Sequence, residues 1–219
     1  MTTPTIIGLY AGMPRTITNA SGTFTSGIVK SPVTGAFLSV NGFVGDGVAN
    51  EKFHGGTERA VCVYSYEHYP LWEKERGAPL ERPGFGENLL VAGMLEKNVC
   101  IGDIYRLGEA VVQVSQSRNP CYTISRRNEF DPMLARVIET GFTGYFFRVL
   151  QEGEVRTDSR IELVEKHPKG ISVFETNRVL FRDLSNAPAV AELLEHDALA
   201  EAWKDTLRRR AARQAQQSP

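Results

Sequence analysis

A strong net charge and long apolar runs are both absent from this chain of 219 residues. Lys and Arg number 25 against 26 Asp and Glu, which gives a formal net charge of −1. This balance argues against nucleic-acid binding, which usually requires a strongly basic surface. Charged residues also interrupt every apolar stretch before it reaches the length of a membrane span. We therefore expect neither nucleic acid nor a membrane as a partner.

Disulfide frameworks and the common motif-based sites are absent as well. The three cysteines, Cys62, Cys100 and Cys121, are odd in number and widely spaced, and no CxxC pair occurs. The GxGxxG, Walker, GxSxG and HExxH motifs are missing, and the histidines lack metal-site spacing. The first residues show no basic segment followed by an apolar core, so no secretion signal is predicted. A reducing, cytoplasmic setting is the expectation.

Short apolar runs separated by Gly and Pro occupy most of the chain up to residue 166. They are rich in Val, Ile, Phe and Tyr, which favours strands. The predicted strands are 6–11, 26–30, 36–40, 60–65, 88–92, 104–107, 110–117, 145–150 and 155–164. Two helices interrupt them, one over 66–76 and one from Asp131-Pro132 to Gly141. This pattern predicts a mainly β, barrel-like domain with a few helices over residues 1–166.

Beyond residue 166 the pattern changes to helices. Ser172 and Glu175 form a capping box, and Asn186 and Asp197 are candidate caps for two further helices. Residues 167–213 are therefore predicted to form a small α-helical bundle of three helices, followed by a flexible tail over 214–219. Because three short helices bury little apolar surface among themselves, we expect the bundle to pack on the β domain.

The surroundings of Cys121 differ from those of the other two cysteines. Cys62 and Cys100 have Val or Ile neighbours, as expected for buried thiols. Cys121 follows Arg118-Asn119-Pro120, in which the guanidinium favours the thiolate and the proline stiffens the loop. The local chemistry leaves two alternatives open, a functional thiol and a small buried hydrophobe.

Two loops that contain glycine are further candidates. His54 precedes two glycines that let a backbone turn approach a bound group, and its imidazole could ligate a metal or move a proton. Glu87 and Asn88 follow the Gly-Phe-Gly sequence at 84–86, and their donor and acceptor edges suit a heterocycle. Each loop could equally be a simple chain reversal with polar side chains.

Two cationic positions lie in or beside predicted strands. Arg148 is a lone arginine in an apolar strand, and Lys30-Ser31 ends an early one. A buried charge needs either a carboxylate or an anionic ligand, because leaving it unpaired is costly. A structural ion pair and a ligand-binding role both remain open for each.

Taken in series, these segments resemble the MOSC family, named for the C-terminal domain of molybdenum cofactor sulfurase. The matching pieces are Lys30-Ser31-Pro32, Gly45-Asp46-Gly47, His54-Gly55-Gly56, Arg59-Ala60-Val61 with Tyr64, Gly84-Phe85-Gly86-Glu87-Asn88-Leu89, Ile101-Gly102-Asp103, Ser117-Arg118-Asn119-Pro120-Cys121 and Gly144-Tyr145-Phe146-Phe147-Arg148-Val149-Leu150. The helical end resembles the three-helix domain of the YiiM-like branch, so the likeness covers nearly the whole chain.

The resemblance implies a molybdenum cofactor (molybdopterin with molybdenum), with Cys121 as metal ligand and catalytic residue. A soft thiolate suits such a metal. It also implies reduction of N-hydroxylated compounds, such as N-hydroxylated purine base analogues, with electrons from a flavoprotein reductase, as a detoxification. We expect His54 to supply a proton as the N–O bond breaks. The expected cofactor-binding residues are Lys30, Ser31, Glu87, Asn88, Arg118, Asn119 and Arg148.

One segment departs from the usual family pattern. An aspartate and a second histidine normally precede the His-Gly-Gly step, whereas this chain has Asn50-Glu51-Lys52-Phe53 there. The alternative function is a sulfur carrier or a cofactor-binding protein without reductase turnover. Sulfur carriage is linked to pyridoxal-phosphate enzymes, and since the chain contains no such enzyme domain, that cofactor is not expected. The helical bundle could dock a reductase or a second copy of the chain, which would form a homodimer.

Overall fold

The structure, a computed structural model, describes residues 3–217, with the backbone alone at 53, 215 and 217. The strands are β1 (Thr5–Ala11), β2 (Arg15–Asn19), β3 (Gly22–Ser26), β4 (Ser31–Pro32), β5 (Gly35–Ser39), β6 (Gly42–Phe43), β7 (Val61–Ser65), β8 (Leu89–Ala92), β9 (Ile104–Leu107), β10 (Ala110–Ser117), β11 (Tyr145–Gln151), β12 (Gly153–Arg156) and β13 (Ile161–Glu165). The helices are α1 (Glu51–His54), α2 (Tyr69–Arg76), α3 (Thr123–Asn128), α4 (Met133–Thr140), α5 (Val173–Arg182), α6 (Ala187–Leu194) and α7 (Glu201–Gln217).

Eight strands form one curled sheet that closes about half of a barrel. Their order is β13-β9-β10-β11-β7-β8-β1-β4, and a three-stranded sheet β12-β5-β6 and the β2-β3 hairpin complete the β structure. Of the pairs in the large sheet, only β7 with β8 is parallel among the described strands. The β10–β11 pairing shifts register twice, and such bulges bend a sheet. The prediction of a mainly β, barrel-like fold with a small helical bundle is confirmed.

Two predicted strands differ from those observed. Of the predicted strand 26–30, only Ser26 lies in a strand, and at Gly27 the backbone approaches the Gly47 carbonyl oxygen so closely that a Cβ would lie 2.4 Å from it. The chain there packs against the 45–47 loop, and the preceding residues form the β2-β3 hairpin instead. The segment 155–164 divides into β12 and β13 at a turn in which the Ser159 amide donates to the Arg156 carbonyl at 3.0 Å. The short helices α1 and α3 were not predicted.

The C-terminal helices form as predicted, apart from their last boundaries. The side chains of Ser172 and Asn186 accept from the amides of Glu175 and Ala189 and cap α5 and α6. Asp197 does not cap the last helix, which begins only at Glu201. The helix continues to Gln217, so the predicted tail is helical over 214–217, as expected for residues with high helix propensity. Residues 218–219 lie outside the described part.

The helical bundle packs directly on the large sheet, as predicted. Apolar side chains of α5, α6 and α7 share one buried cluster with those of the sheet. The indole of Trp203 donates to the Ser117 hydroxyl at 2.9 Å, and the Ala200 amide donates to the Ser115 carbonyl at 3.0 Å. Both contacts lie at the end of β10, so the bundle packs against and supports the strand that precedes residues 118–121. No helix within residues 3–217 has the length and apolar composition needed to cross a membrane.

Candidate functional site

A buried ion pair lies at the centre of the candidate site. The Lys30 side chain is 4% exposed, and its Nζ lies 2.5 Å from Oδ1 of Asp46. The other oxygen of Asp46 accepts from the Asn88 amide nitrogen at 2.8 Å, and the Gly12 amide donates to Oδ1 at 2.9 Å. Gly45, with φ of 86°, provides the turn that presents Asp46 to these donors. The pair therefore joins two loops to the start of β8.

Asn88 extends this network to Cys62 on the neighbouring strand. The side-chain Oδ1 of Asn88 accepts from the backbone amide of Cys62 at 3.0 Å, while the backbone amide of Asn88 donates to the Cys62 carbonyl at 2.8 Å. The Cys62 sulfur in turn lies 3.8 Å from Nη1 of Arg118, which also donates to the Phe85 carbonyl. Burial raises the pKa of the Cys62 thiol, whereas the Arg118 guanidinium acts in the opposite direction. The predicted residues Lys30, Asn88 and Arg118 thus form one connected cluster.

Two guanidinium groups in this region lack a carboxylate partner. Among residues 3–217, neither Arg59 nor Arg118 forms an ion pair. Nη1 of Arg59 donates only to the Gly55 carbonyl, at 3.3 Å, and burial lowers its pKa. Because both groups are partly buried, an anion placed between them would recover electrostatic free energy.

His54 lies beside these two cations at the end of α1. The residue is exposed, yet desolvation of its ring lowers its pKa, and repulsion from Arg118 and then Arg59 lowers it further. The lowered pKa makes the imidazole a weaker proton acceptor, so it is predominantly neutral at pH 7, and once protonated it gives up its proton more readily. The structure thus places His54 near Arg118, while its role in proton transfer stays a prediction.

We expect the Arg118→Gln variant to show this coupling directly. Removing the guanidinium removes one cause of the lowered pKa, so the His54 titration midpoint should rise towards the value of about 6.5 found in peptides. The midpoint is measured by NMR titration of the imidazole protons. The matched control is Arg126→Gln, because the Arg126 guanidinium lies over the Phe24 ring instead. An unchanged or lower midpoint in Arg118→Gln would contradict the arrangement.

Glu87 is fully buried and organises the loop that contacts Arg118. Its carboxylate accepts from the Tyr69 hydroxyl at 2.5 Å and from the Phe85 amide at 2.9 Å. Burial raises the pKa of this carboxyl, and the hydrogen bonds counteract part of that effect. The Tyr69 hydroxyl also accepts from the Gly84 amide at 2.8 Å. Glu87 therefore fixes the loop 84–87 and does not present its carboxylate to a ligand.

The same loop is tied to the helix that follows Cys121. The Asn128 side-chain amide donates to the Gly84 carbonyl at 2.8 Å and to the Ile124 carbonyl at 2.9 Å. The Ile124 amide donates to the Cys121 carbonyl at 3.2 Å. The hydrogen bonds thus run from loop 84–87 through α3 to Cys121.

The Cys121 thiol is half-buried on the loop between β10 and α3. No residue in the described part of the chain donates a hydrogen bond to its sulfur or accepts one from it. Its neighbour Asn119 is exposed, and Oδ1 of that residue accepts from Arg210 of α7 at 3.3 Å. Cys121 is therefore neither sealed in the core nor engaged by another side chain, which keeps it available to a ligand.

For two of the predicted site residues, the structure shows surroundings outside this cluster. Ser31 is exposed at the edge strand β4. Arg148 forms an ion pair with Glu58 and donates to Gln113 at 3.0 Å and to the Ala198 carbonyl at 2.7 Å. It borders a groove of about 460 Å³ beside the C-terminal helices. Arg148 thus links the sheet to the helical bundle, and its role in cofactor binding stays a prediction.

Three residues of the cluster were not among the predicted site residues. They are Asp46, Arg59 and Cys62. Asp46 and Arg59 belong to motif segments recognised in the sequence, but only the fold shows that Asp46 meets Lys30 and Asn88. Cys62 stands between two valines, a pattern typical of core packing, and that pattern conceals the contact of its sulfur with Arg118.

Comparison with known proteins gives matches along most of the chain. Residues 50–162 match the MOSC domain, and residues 171–214 match the YiiM-like, 3-alpha helix domain. YflK of Bacillus subtilis is 44% identical over 91% of this chain and 90% of its own length. A protein of Gibberella moniliformis named "Reductase" is 40% identical over 73% of this chain but only 29% of its own length.

The crystal structure of YiiM from Geobacillus stearothermophilus superposes on this fold. The TM-score is 0.81 at 32% sequence identity, and the alignment covers 95% of this chain and 99% of that one. The likeness therefore includes both the curled sheet and the helical bundle. On these matches, the chain belongs to the MOSC domain family and carries the YiiM-like 3-alpha helix domain at its C-terminal end.

Proposed function

We propose that the protein is a molybdenum-cofactor-dependent reductase of N-hydroxylated compounds. Its membership of the MOSC family supports the cofactor, and the fungal relative named a reductase supports the reaction class. The observation that carries the proposal is the pair of partly buried guanidinium groups, Arg59 and Arg118, without carboxylate partners in the described chain. They lie beside an imidazole, and Arg118 belongs to the loop of the half-buried Cys121 thiol.

The residues present fit an anionic cofactor with a soft metal. Arg118 and Arg59 have no carboxylate partner in the described part of the chain and retain donors for phosphate oxygens, whereas Lys30 is already neutralised by Asp46. At Gly56, with φ of 100°, nothing lies within 4 Å of the position that a Cβ would take, so the backbone is open to a bound group. Cys121 provides the thiolate ligand that soft metals favour.

The reaction reduces the N-hydroxyl group by two electrons. The N–O bond breaks, two protons are taken up, and the products are the amine and water. A bound molybdenum cofactor supplies the redox chemistry that no side chain can provide. The electrons come from a flavoprotein reductase acting as partner. His54, neutral at pH 7, takes a proton from solvent and passes it to the departing hydroxyl.

The Cys121→Ser variant tests this proposal. The wild-type chain, produced with molybdate, is expected to contain molybdenum and to turn over a hydroxylaminopurine when a flavin reductase is added. Because the serine hydroxyl is a poor ligand for a soft metal, we expect Cys121→Ser to lose about tenfold or more of the molybdenum and of the turnover. The matched control is Cys100→Ser, a half-buried cysteine beside Asp103, which should behave like wild type.

Two outcomes would overturn the proposal in different ways. Equal molybdenum content and equal turnover in wild type and Cys121→Ser would show that Cys121 neither binds the metal nor takes part in the reaction. Molybdenum bound through Cys121 without turnover of any N-hydroxylated substrate would favour the rival function, a protein that holds cofactor or sulfur without catalysis.

A further inference from the structure

The fold brings together two histidines that are far apart in the sequence. His167 follows β13, and His196 lies between α6 and α7, yet their rings stack with centroids 4.4 Å apart. Oδ1 of Asp197 lies 3.1 Å from Nε2 of His167 and 3.7 Å from Nδ1 of His196. The spacing of the histidines in the sequence predicted no metal site among them. The cluster forms only when the helical bundle docks on the sheet, so the sequence spacing could not indicate it.

His196 is an unusual buried residue. Its side chain is fully buried, and neither ring nitrogen has a hydrogen-bond partner within the described residues. Buried polar atoms in folded proteins are nearly always hydrogen-bonded, so an unpartnered imidazole points to a group that binds there. A metal ion is the ligand that an imidazole nitrogen beside a second imidazole and a carboxylate is suited to bind.

We infer that His167, His196 and Asp197 form a binding site for a divalent transition-metal ion such as Zn²⁺. One ligand atom from each residue lies within 4.8 Å of the other two. Tetrahedral zinc with bonds of about 2.1 Å separates its ligand atoms by about 3.4 Å, so side-chain shifts of about an ångström close the site. Two imidazoles and a carboxylate match the ligand preference of zinc.

His167 is held in place from its backbone and from its ring face. Its amide donates to Oδ1 of the buried Asp103 at 2.9 Å. Its ring rests on Gly102, where a Cβ would lie 2.5 Å from the ring. Only glycine fits at that position, so the ring has little freedom to move away from the cluster. The position of one ligand is therefore set before any metal arrives.

The hydrogen bonds of His167 define what changes when a metal binds. The Lys169 amide donates to Nδ1 at 3.3 Å, so Nε2 carries the proton and donates to Asp197 in the metal-free protein. A metal on Nε2 requires the proton to move to Nδ1, and the long contact from Lys169 is then given up. The groove beside Arg148 also borders His167 and Asp197 and leaves room for water as a fourth ligand.

Zinc titration of the chelator-treated full chain tests the site. We expect one Zn²⁺ per chain by calorimetry, and Co²⁺ in its place should give the absorption of a tetrahedral complex. His196→Gln should abolish binding, and Asp197→Asn should weaken it by about tenfold or more. The controls His54→Gln and Cys121→Ser should bind as wild type does, which separates this site from the one proposed for the cofactor.

The exposed position of Asp197 keeps the test decisive if His196→Gln fails to fold. Its side chain is 80% exposed, so Asp197→Asn should leave the fold intact. Absence of stoichiometric zinc in the wild type, or unchanged affinity in Asp197→Asn, would overturn the inference. Neither readout depends on molybdenum or on reductase turnover, so failure here leaves the proposed function untouched.

Discussion

Replacing Asp46 with alanine is expected to destabilise the protein by about 3–5 kcal/mol, because it leaves the buried ammonium of Lys30 without its counter-charge. The Lys30 side chain is 4% exposed, so water cannot replace the lost carboxylate. Asn88 and the Gly12 amide lose an acceptor as well. The free energy of unfolding, measured by urea denaturation, gives the size of the loss.

A second substitution distinguishes the charge effect from general damage to the loop. In the double variant Asp46→Ala with Lys30→Met no buried charge remains, so we expect it to be more stable than Asp46→Ala alone. Glu81→Ala serves as the matched surface control, since Glu81 is 83% exposed in its ion pair with Arg127 and should cost less than about 1 kcal/mol. A double variant no more stable than Asp46→Ala would show that the ammonium is not the cause.

Replacing Trp203 with alanine is expected to cost about 3–5 kcal/mol, the usual loss for removing a large buried side chain. Trp203 is 2% exposed and belongs to the apolar cluster shared by the sheet and the helices. The variant also deprives the buried Ser117 hydroxyl of its indole partner. Because Ser117 directly precedes Arg118, we expect the amide hydrogens of Arg118, Asn119 and Cys121 to exchange faster than in wild type.

The Trp203→Phe variant separates packing from hydrogen bonding. Phenylalanine retains most of the apolar contact but cannot donate to Ser117, so its cost should fall to about 1–3 kcal/mol. Urea denaturation of both variants measures the difference. If the two substitutions cost the same, apolar packing contributes less at this junction than the structure implies.

The sequence predicted the fold well where a pattern is local. Strands β9 and β10 agree with their predicted bounds to the residue, and the side chains of Ser172 and Asn186 cap helices as their residue types indicate. The strand predicted over 26–30 was wrong beyond Ser26, where the chain packs on the Gly47 backbone, which is distant in sequence. Contacts of that kind leave no periodicity to detect.

In the candidate site, too, the sequence predicted what depends on local motifs and missed what depends on contacts between distant residues. The motifs identified Lys30, His54, Asn88 and Arg118, and the structure brings these into one region. Arg148 was expected to need an anion because it is an arginine in an apolar strand, and the structure shows an ion pair with Glu58, while its role in cofactor binding stays a prediction. The His167 and His196 cluster could not be predicted at all, since it exists only after the helical bundle has docked.

The apolar cluster shared by the sheet and the C-terminal helices limits which sequence changes the two parts of the chain can tolerate. The two family matches divide the chain near residue 166, as if the β part and the helical part were interchangeable modules. Trp203 and Arg210 nevertheless contact Ser117 and Asn119, the residues that precede and follow Arg118 in the sequence. A different C-terminal segment grafted onto this sheet would therefore have to reproduce the indole and guanidinium contacts as well as the apolar surface. Substitutions in α7 and in the 115–121 segment should accordingly be inherited together, so that each half of the chain constrains the evolution of the other.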